Sequence, residues 1–148
     1  MAIGRVLVAA TALGLTRKAT RLAISYGSNR KLFGSSILQN QGLSFPLADI
    51  LTKCYAAELM IHDAAKLIDL GRPFKGETSM AKLFATELAM EAATLAIQVH
   101  GGYGVFEDYE VSGLLGEAVA RQSGWEHGDN QDGHFGGRGE RMIVAARR

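Results

Sequence analysis

The chain has 148 residues, 47% of them hydrophobic, and a formal charge of +1. That is enough apolar side chain for one packed domain, and the near-neutral balance excludes a nucleic-acid groove or a polybasic membrane patch. Only two prolines occur, and Ala, Leu, Glu and Lys are plentiful outside the last quarter, which favours helices over a β-rich fold.

Ile3, Leu7, Ala10 and Leu13 recur at steps of three and four, predicting one apolar face of a helix from about Ile3 to Tyr26. The apolar start from Val6 to Leu15 has the outline of a secretory leader. Arg17, Lys18 and Arg21 continue it without a break, so it reads as the opening of a long helix. Gly27-Ser28-Asn29 then stands as the stop, with glycine in the usual terminating position.

The clearest pattern comes next. Leu43, Leu47, Ile50, Cys54, Ala57, Ile61, Ala64 and Ile68 alternate steps of four and three, a heptad seam of about seven turns that ends at Gly71-Arg72-Pro73. Pro46 is tolerated there if it falls in the first turn, where its missing N–H has no partner to lose. Cys54 occupies a seam position, which predicts a buried, inert thiol. As the lone cysteine it excludes an internal disulfide framework and fits a reducing, cytoplasmic setting.

A third helix is predicted from an N-cap at Thr78 or Ser79 to about His100. Phe84, Leu88, Leu95 and Val99 line one side, and Met80, Leu83, Met90 and Ile97 widen the stripe, so it sits between neighbours. Glu110 to Arg121 makes a shorter helix interrupted by Gly113 and Gly116. Residues 124–139 are rich in glycine and poor in aliphatic side chains, which reads as a loop; Glu140 to Arg148 has the character of a short last helix. The fold class is therefore all-α: an up-and-down helical bundle over residues 1–123 with a divergent Gly-rich tail, 124–148. No run approaches the ~18 apolar residues of a membrane span.

Three stretches, in order, resemble the C-terminal domain of acyl-CoA dehydrogenases. Asn29-Arg30-Lys31-Leu32-Phe33-Gly34 is followed seven residues later by Gln41 and then by Leu47-Ala48-Asp49-Ile50. Ser79-Met80-Ala81-Lys82 is similar to the start of one family helix. Gln98-Val99-His100-Gly101-Gly102-Tyr103-Gly104 is similar to the family's Gln-x-x-Gly-Gly-x-Gly, and Tyr109 stands where the family has an aromatic. The resemblance covers roughly residues 3–120 without a gap.

It implies an FAD-dependent oxidoreductase of fatty-acid metabolism that removes hydrogens from the α and β carbons of an acyl-CoA thioester. Arg30 and Phe33 would reach the ADP half of an FAD held mainly by a neighbouring subunit. Gln41 and Gln98 would meet the flavin nucleotide with neutral donors and acceptors, and Gly101 and Gly102 would let the backbone approach it. On spacing alone, Arg30 reads equally as a solvated cation, Phe33 as a plug at a helix junction, and Gln98 with its glycines as a plain C-cap. Leu32 departs from relatives that carry a polar side chain there.

Arg5 matches the arginine near the substrate end, or is a first-turn surface cation. Gly4 occupies a position that holds the catalytic glutamate in some branches. The remaining candidate base is Glu126, in Trp125-Glu126-His127-Gly128, with a solvated loop acid as the alternative. His127, Asp129, Asp132 and His134 lack the order of a calcium loop, and no metal is expected. His62 and His100 read as helix-surface and helix-end residues.

The family's subunit has two further domains before this one, which implies that the chain in isolation is inactive. Its partners would be acyl-CoA after assembly with those domains, and a homo-oligomer (dimer or tetramer) or a complementary dehydrogenase subunit. The alternative is a non-catalytic helical oligomerisation module derived from the same family.

Overall fold

The computed structural model describes residues 2–123. Four helices run alternately up and down: α1 (Ala2–Asn29), α2 (Gln41–Asp69), α3 (Lys75–His100) and α4 (Val111–Ser123). α3 touches all three others, and its broadest contact is with α1. Among the described residues no helix is long and apolar enough to cross a membrane.

The α1–α3 contact is made of small side chains. Ala9, Ala12, Ala19 and Ala23 on α1, and Ala81, Ala85, Ala89, Ala92, Ala93 and Ala96 on α3, are each at most 2% exposed. With no bulk between them the two helices pack closely. Thr16, Thr20 and Thr86 are buried among them, and each hydroxyl donates to the carbonyl one turn back, on Ala12, Thr16 and Lys82 respectively.

This arrangement corrects the predicted faces. Ile3 and Leu7 are 59% and 63% exposed and Ala10 is exposed; of that stripe only Leu13 is buried. On α3, Leu88 and Val99 are buried and Phe84 and Leu95 half-buried, while Met80 and Leu83 face outward. Two apolar stripes of helical period coexist on α1, and the neighbour selected the one with small side chains. The α2 seam stands as expected: Leu47, Ile50, Cys54, Ala57, Ile61 and Ala64 are the helix's buried residues, with Leu43 and Ile68 half-buried at its ends.

Three boundaries also differ. Gly27 does not stop α1, which runs on to Asn29. A Cβ there would lie 2.6 Å from Leu38 Cδ2, so the glycine makes room for Leu38 rather than ending the helix. Thr78 and Ser79 do not cap α3; it starts at Lys75 after an uncapped Phe74, and both hydroxyls donate to the Lys75 carbonyl. Pro46 is the sixth residue of α2, beyond the first turn, so the exposed Gly42 carbonyl loses its helical donor. Asn40 is the N-cap, its Oδ1 accepting from the Gly42 amide at 2.8 Å. α4 forms as expected, with Gly113 and Gly116 on its exposed side.

The sequence reading placed no β structure between α1 and α2. A two-residue hairpin stands there, β1 (Lys31–Leu32) against β2 (Ser35–Ser36), antiparallel with Lys31 opposite Ser36. It is tied to the end of α1: Ser36 Oγ donates to the Gly27 carbonyl at 2.8 Å and Ile37 N to the Arg30 carbonyl at 3.0 Å.

Candidate functional site

The up-and-down order brings the end of α1, the start of α2 and the end of α3 to one end of the bundle. Arg30, Phe33, Gln41, Gln98, Gly101 and Gly102 all lie at that end, and all are exposed. Tyr26 near the end of α1 stacks on His100 at the end of α3, and Pro46 of α2 shares a shallow groove with Gln98. Residues far apart in sequence are thus gathered by topology alone.

Phe33 is the most unusual of them. It and Gly34 form the hairpin tip with φ of +52° and +85°, and the Phe33 side chain is wholly exposed. Two left-handed residues in succession suit the twist of a two-residue hairpin, a role usually filled by Asn-Gly. For an L-residue other than Asn or Asp the left-handed conformation costs roughly 1–2 kcal/mol. Nothing in the described chain offsets that cost by burying the ring. Leu32, the departure from the family pattern, sits beside it in β1 and is exposed.

Gln41 is the first residue of α2, directly after the Asn40 cap. Gln98 lies on the last turn of α3 and lines the groove with Pro46, Met90, Glu91, Thr94 and Leu95. Gly101 ends α3 with φ +62°, and its amide donates to the Gln98 carbonyl. No heavy atom lies within 4 Å of where a Cβ would stand on Gly101 or Gly102, so that backbone is open to approach.

Gly104 is different. It is buried, and a Cβ there would meet the Ile97 carbonyl oxygen at 2.6 Å, a backbone contact that cannot yield. Gly104→Ala should therefore destabilise the chain by about 1–3 kcal/mol. Gly27→Ala meets Cδ2 and Cγ of Leu38 at 2.6 and 2.9 Å, side-chain atoms that can turn aside where backbone cannot, and it gains helix propensity, so it should cost less than Gly104→Ala. Urea denaturation of the two variants side by side checks both.

Arg5 lies near the opposite end of the bundle. Its Nη1 donates to Ser79 Oγ at 2.9 Å, linking the start of α1 to the start of α3. Twenty-five residues of helix separate it from Arg30, roughly 37 Å at 1.5 Å per residue. Gly4, half-buried beside it, has no side chain to act as a base. Glu126, the His127, Asp129, Asp132 and His134 cluster, and the expected terminal helix lie outside the described residues.

Cys54 is buried in the seam, as expected. Loss of hydration pushes its thiol above the usual cysteine range, with the Glu58 charge adding to this and Arg17 opposing it. At pH 8 the folded chain should therefore alkylate with iodoacetamide far more slowly than the urea-unfolded chain, a difference mass spectrometry reads directly. His62 is on the exposed side of α2 and His100 is the last residue of α3, both as expected; His100 is in addition buried, with rings on two sides.

One end of the bundle thus presents a cation, a bare aromatic ring, two amides and an open glycine backbone. The sequence model of the acyl-CoA dehydrogenase C-terminal domain matches residues 1–124. An acyl-CoA dehydrogenase of Bacillus subtilis (strain 168) is 43% identical over 120 residues, 81% of this chain and 32% of that protein. The CarC subunit of the caffeyl-CoA reductase-Etf complex of Acetobacterium woodii is 40% identical over 109 residues, 74% of this chain and 29% of that protein. Among solved structures, butyryl-CoA dehydrogenase from Megasphaera elsdenii superposes with a TM-score of 0.78 at 37% identity, covering 80% of this chain and 31% of that one. The chain belongs to the acyl-CoA dehydrogenase family and corresponds to its C-terminal helical domain. It spans about a third of the length of the curated relatives it matches.

Proposed function

We propose that the chain contributes the C-terminal share of an FAD site for α,β-dehydrogenation of acyl-CoA thioesters. The observation that carries this is Phe33: a fully exposed ring held in a left-handed backbone that no contact within the described residues rewards. The donor set around it fits FAD. Arg30 offers a planar fork for a pyrophosphate, Phe33 a face for adenine, Gln41 and Gln98 neutral donors and acceptors for nucleotide edges, and Gly101–Gly102 an open backbone. When bound, FAD would supply the acceptor for the β-hydride.

The separation of Arg5 from Arg30 supports a site shared between polypeptides. It exceeds the length of one dinucleotide, so the two arginines serve different bound molecules: Arg30 the cofactor of a neighbour, Arg5 the substrate end on its own side. Exposed Ile3 and Leu7 on α1, and Leu51, Tyr55 and Leu59 on α2, leave apolar surface for a second copy or a complementary subunit. One relative is itself a subunit of a reductase-Etf complex. Glu126 is the proposed base. Gly4 favours the second reading, a non-catalytic assembly module, because it removes the other position for a carboxylate.

The chain mixed alone with FAD and acyl-CoA is expected to leave the visible flavin absorbance unchanged. Co-expressed with a polypeptide supplying the other two domains of a relative, it should purify as a yellow complex that acyl-CoA bleaches. A yellow complex without bleaching selects the assembly module, and a colourless complex refutes the FAD reading.

A further inference from the structure

We infer that His100 is a positioning residue for the proposed cofactor-contacting turn, holding the Gly101–Gly102 backbone and the Gln98 amide from inside the bundle. This rests on the FAD reading above. His100 is the last residue of α3, 7% exposed, and it precedes the glycine whose φ of +62° turns the chain. Its Nδ1 lies 2.8 Å from the Ala96 carbonyl oxygen. A carbonyl only accepts, so Nδ1 carries the proton, and the bond fixes the rotation of the ring against the last turn of α3.

Both faces of the turn are then secured through that ring. It stacks on Tyr26 of α1, with centroids 4.2 Å and planes 26° apart. Tyr109, two residues before α4 begins at Val111, meets it edge-on at 6.1 Å and 75°. Tyr103 in turn leans on Tyr109 at 5.5 Å. Gly104 anchors the far end of the turn against the Ile97 backbone. Residues 101–103 therefore span two fixed points, while Gly101 and Gly102 themselves touch nothing where a side chain would be. A phenylalanine at position 100 would stack on Tyr26 equally well. Only a nitrogen can hold the Ala96 carbonyl as well, which is why the ring's orientation, and with it the turn, depends on histidine.

The test is titration with FAD of the ¹⁵N-labelled chain assembled with an unlabelled polypeptide that supplies the other two domains of a relative, following the amide signals of Gly101 and Gly102 and the side-chain amide of Gln98. The wild-type signals should shift. His100→Ala should weaken that response by about tenfold or more, because a ligand-contacting turn released by even ~1 Å loses its geometry. His100→Phe, which keeps the stack and loses the hydrogen bond, should fall between the two. Ile61→Ala, destabilised in the same seam twenty residues beyond Gln41, should retain the wild-type response. Equal weakening in Ile61→Ala would mark a merely structural role and overturn the inference, as would an unchanged response in His100→Ala. If His100→Ala does not fold, His100→Phe decides: a wild-type response overturns the inference and a weakened one supports it. Absence of any shift in the wild type refutes the FAD reading itself, and does so before any substitution is made.

Discussion

Ile50→Ala is expected to lower the stability of the chain by about 2–5 kcal/mol. Ile50 is 1% exposed and sits in the α2 seam between Leu47 and Cys54, on a helix packed against α1 and α3. Removing three carbons there loses their transfer free energy and leaves a cavity that long, regular helices cannot collapse to fill. Domains of this size are stable by only about 5–15 kcal/mol, so the loss is a large share of the whole. The urea midpoint should fall with little change in the slope of the transition. A midpoint within error of wild type would mean that the seam is not the core. Ala85→Leu attacks the other principal contact from the opposite direction, by adding bulk where α1 and α3 approach on alanines.

Arg30→Ala is expected to weaken FAD binding in the assembled complex by about 10–100-fold while leaving the stability of the chain alone almost unchanged, since it removes a charge-assisted pair. Arg30 is exposed, and no side-chain hydrogen bond or ion pair within the described residues depends on it. Phe33→Gly should separate stability from binding further. It relieves a left-handed side chain and so should stabilise the isolated chain by about 0.5–1 kcal/mol, after the added freedom of glycine in the unfolded state is counted. The same change should weaken FAD binding by removing the ring. A gain in stability coupled to a loss of binding is the signature of a residue kept for a ligand. If FAD affinity survives both substitutions, the hairpin tip has no part in the cofactor site.

Much of the architecture was legible locally. The α2 seam could be read residue by residue because a buried stripe with large side chains on one side leaves a period that no other structure produces. The three family-like stretches carried the domain identity, and they also named the exposed residues at one end of the bundle. The hairpin was not legible: Lys31-Leu32 and Ser35-Ser36 are too short to show alternation, and Phe-Gly is an unusual pair for its turn. The burial of His100 was equally hidden, because its stacking partner Tyr26 lies on a different helix.

Sequence by itself determined the four helices of the described residues, where the seam of α2 runs, and which family the domain belongs to. These follow from periods and motifs that are properties of contiguous residues. Tertiary structure alone decided which of two apolar stripes on α1 turns inward, because Ile3, Leu7 and the alanines share one helical period and only the close approach of α3 tells them apart. It also placed Arg5 roughly 37 Å from Arg30 on a rigid helix, and gathered Arg30, Phe33, Gln41 and Gln98 at a single end. That distance and that gathering are consequences of antiparallel packing, which no local pattern encodes.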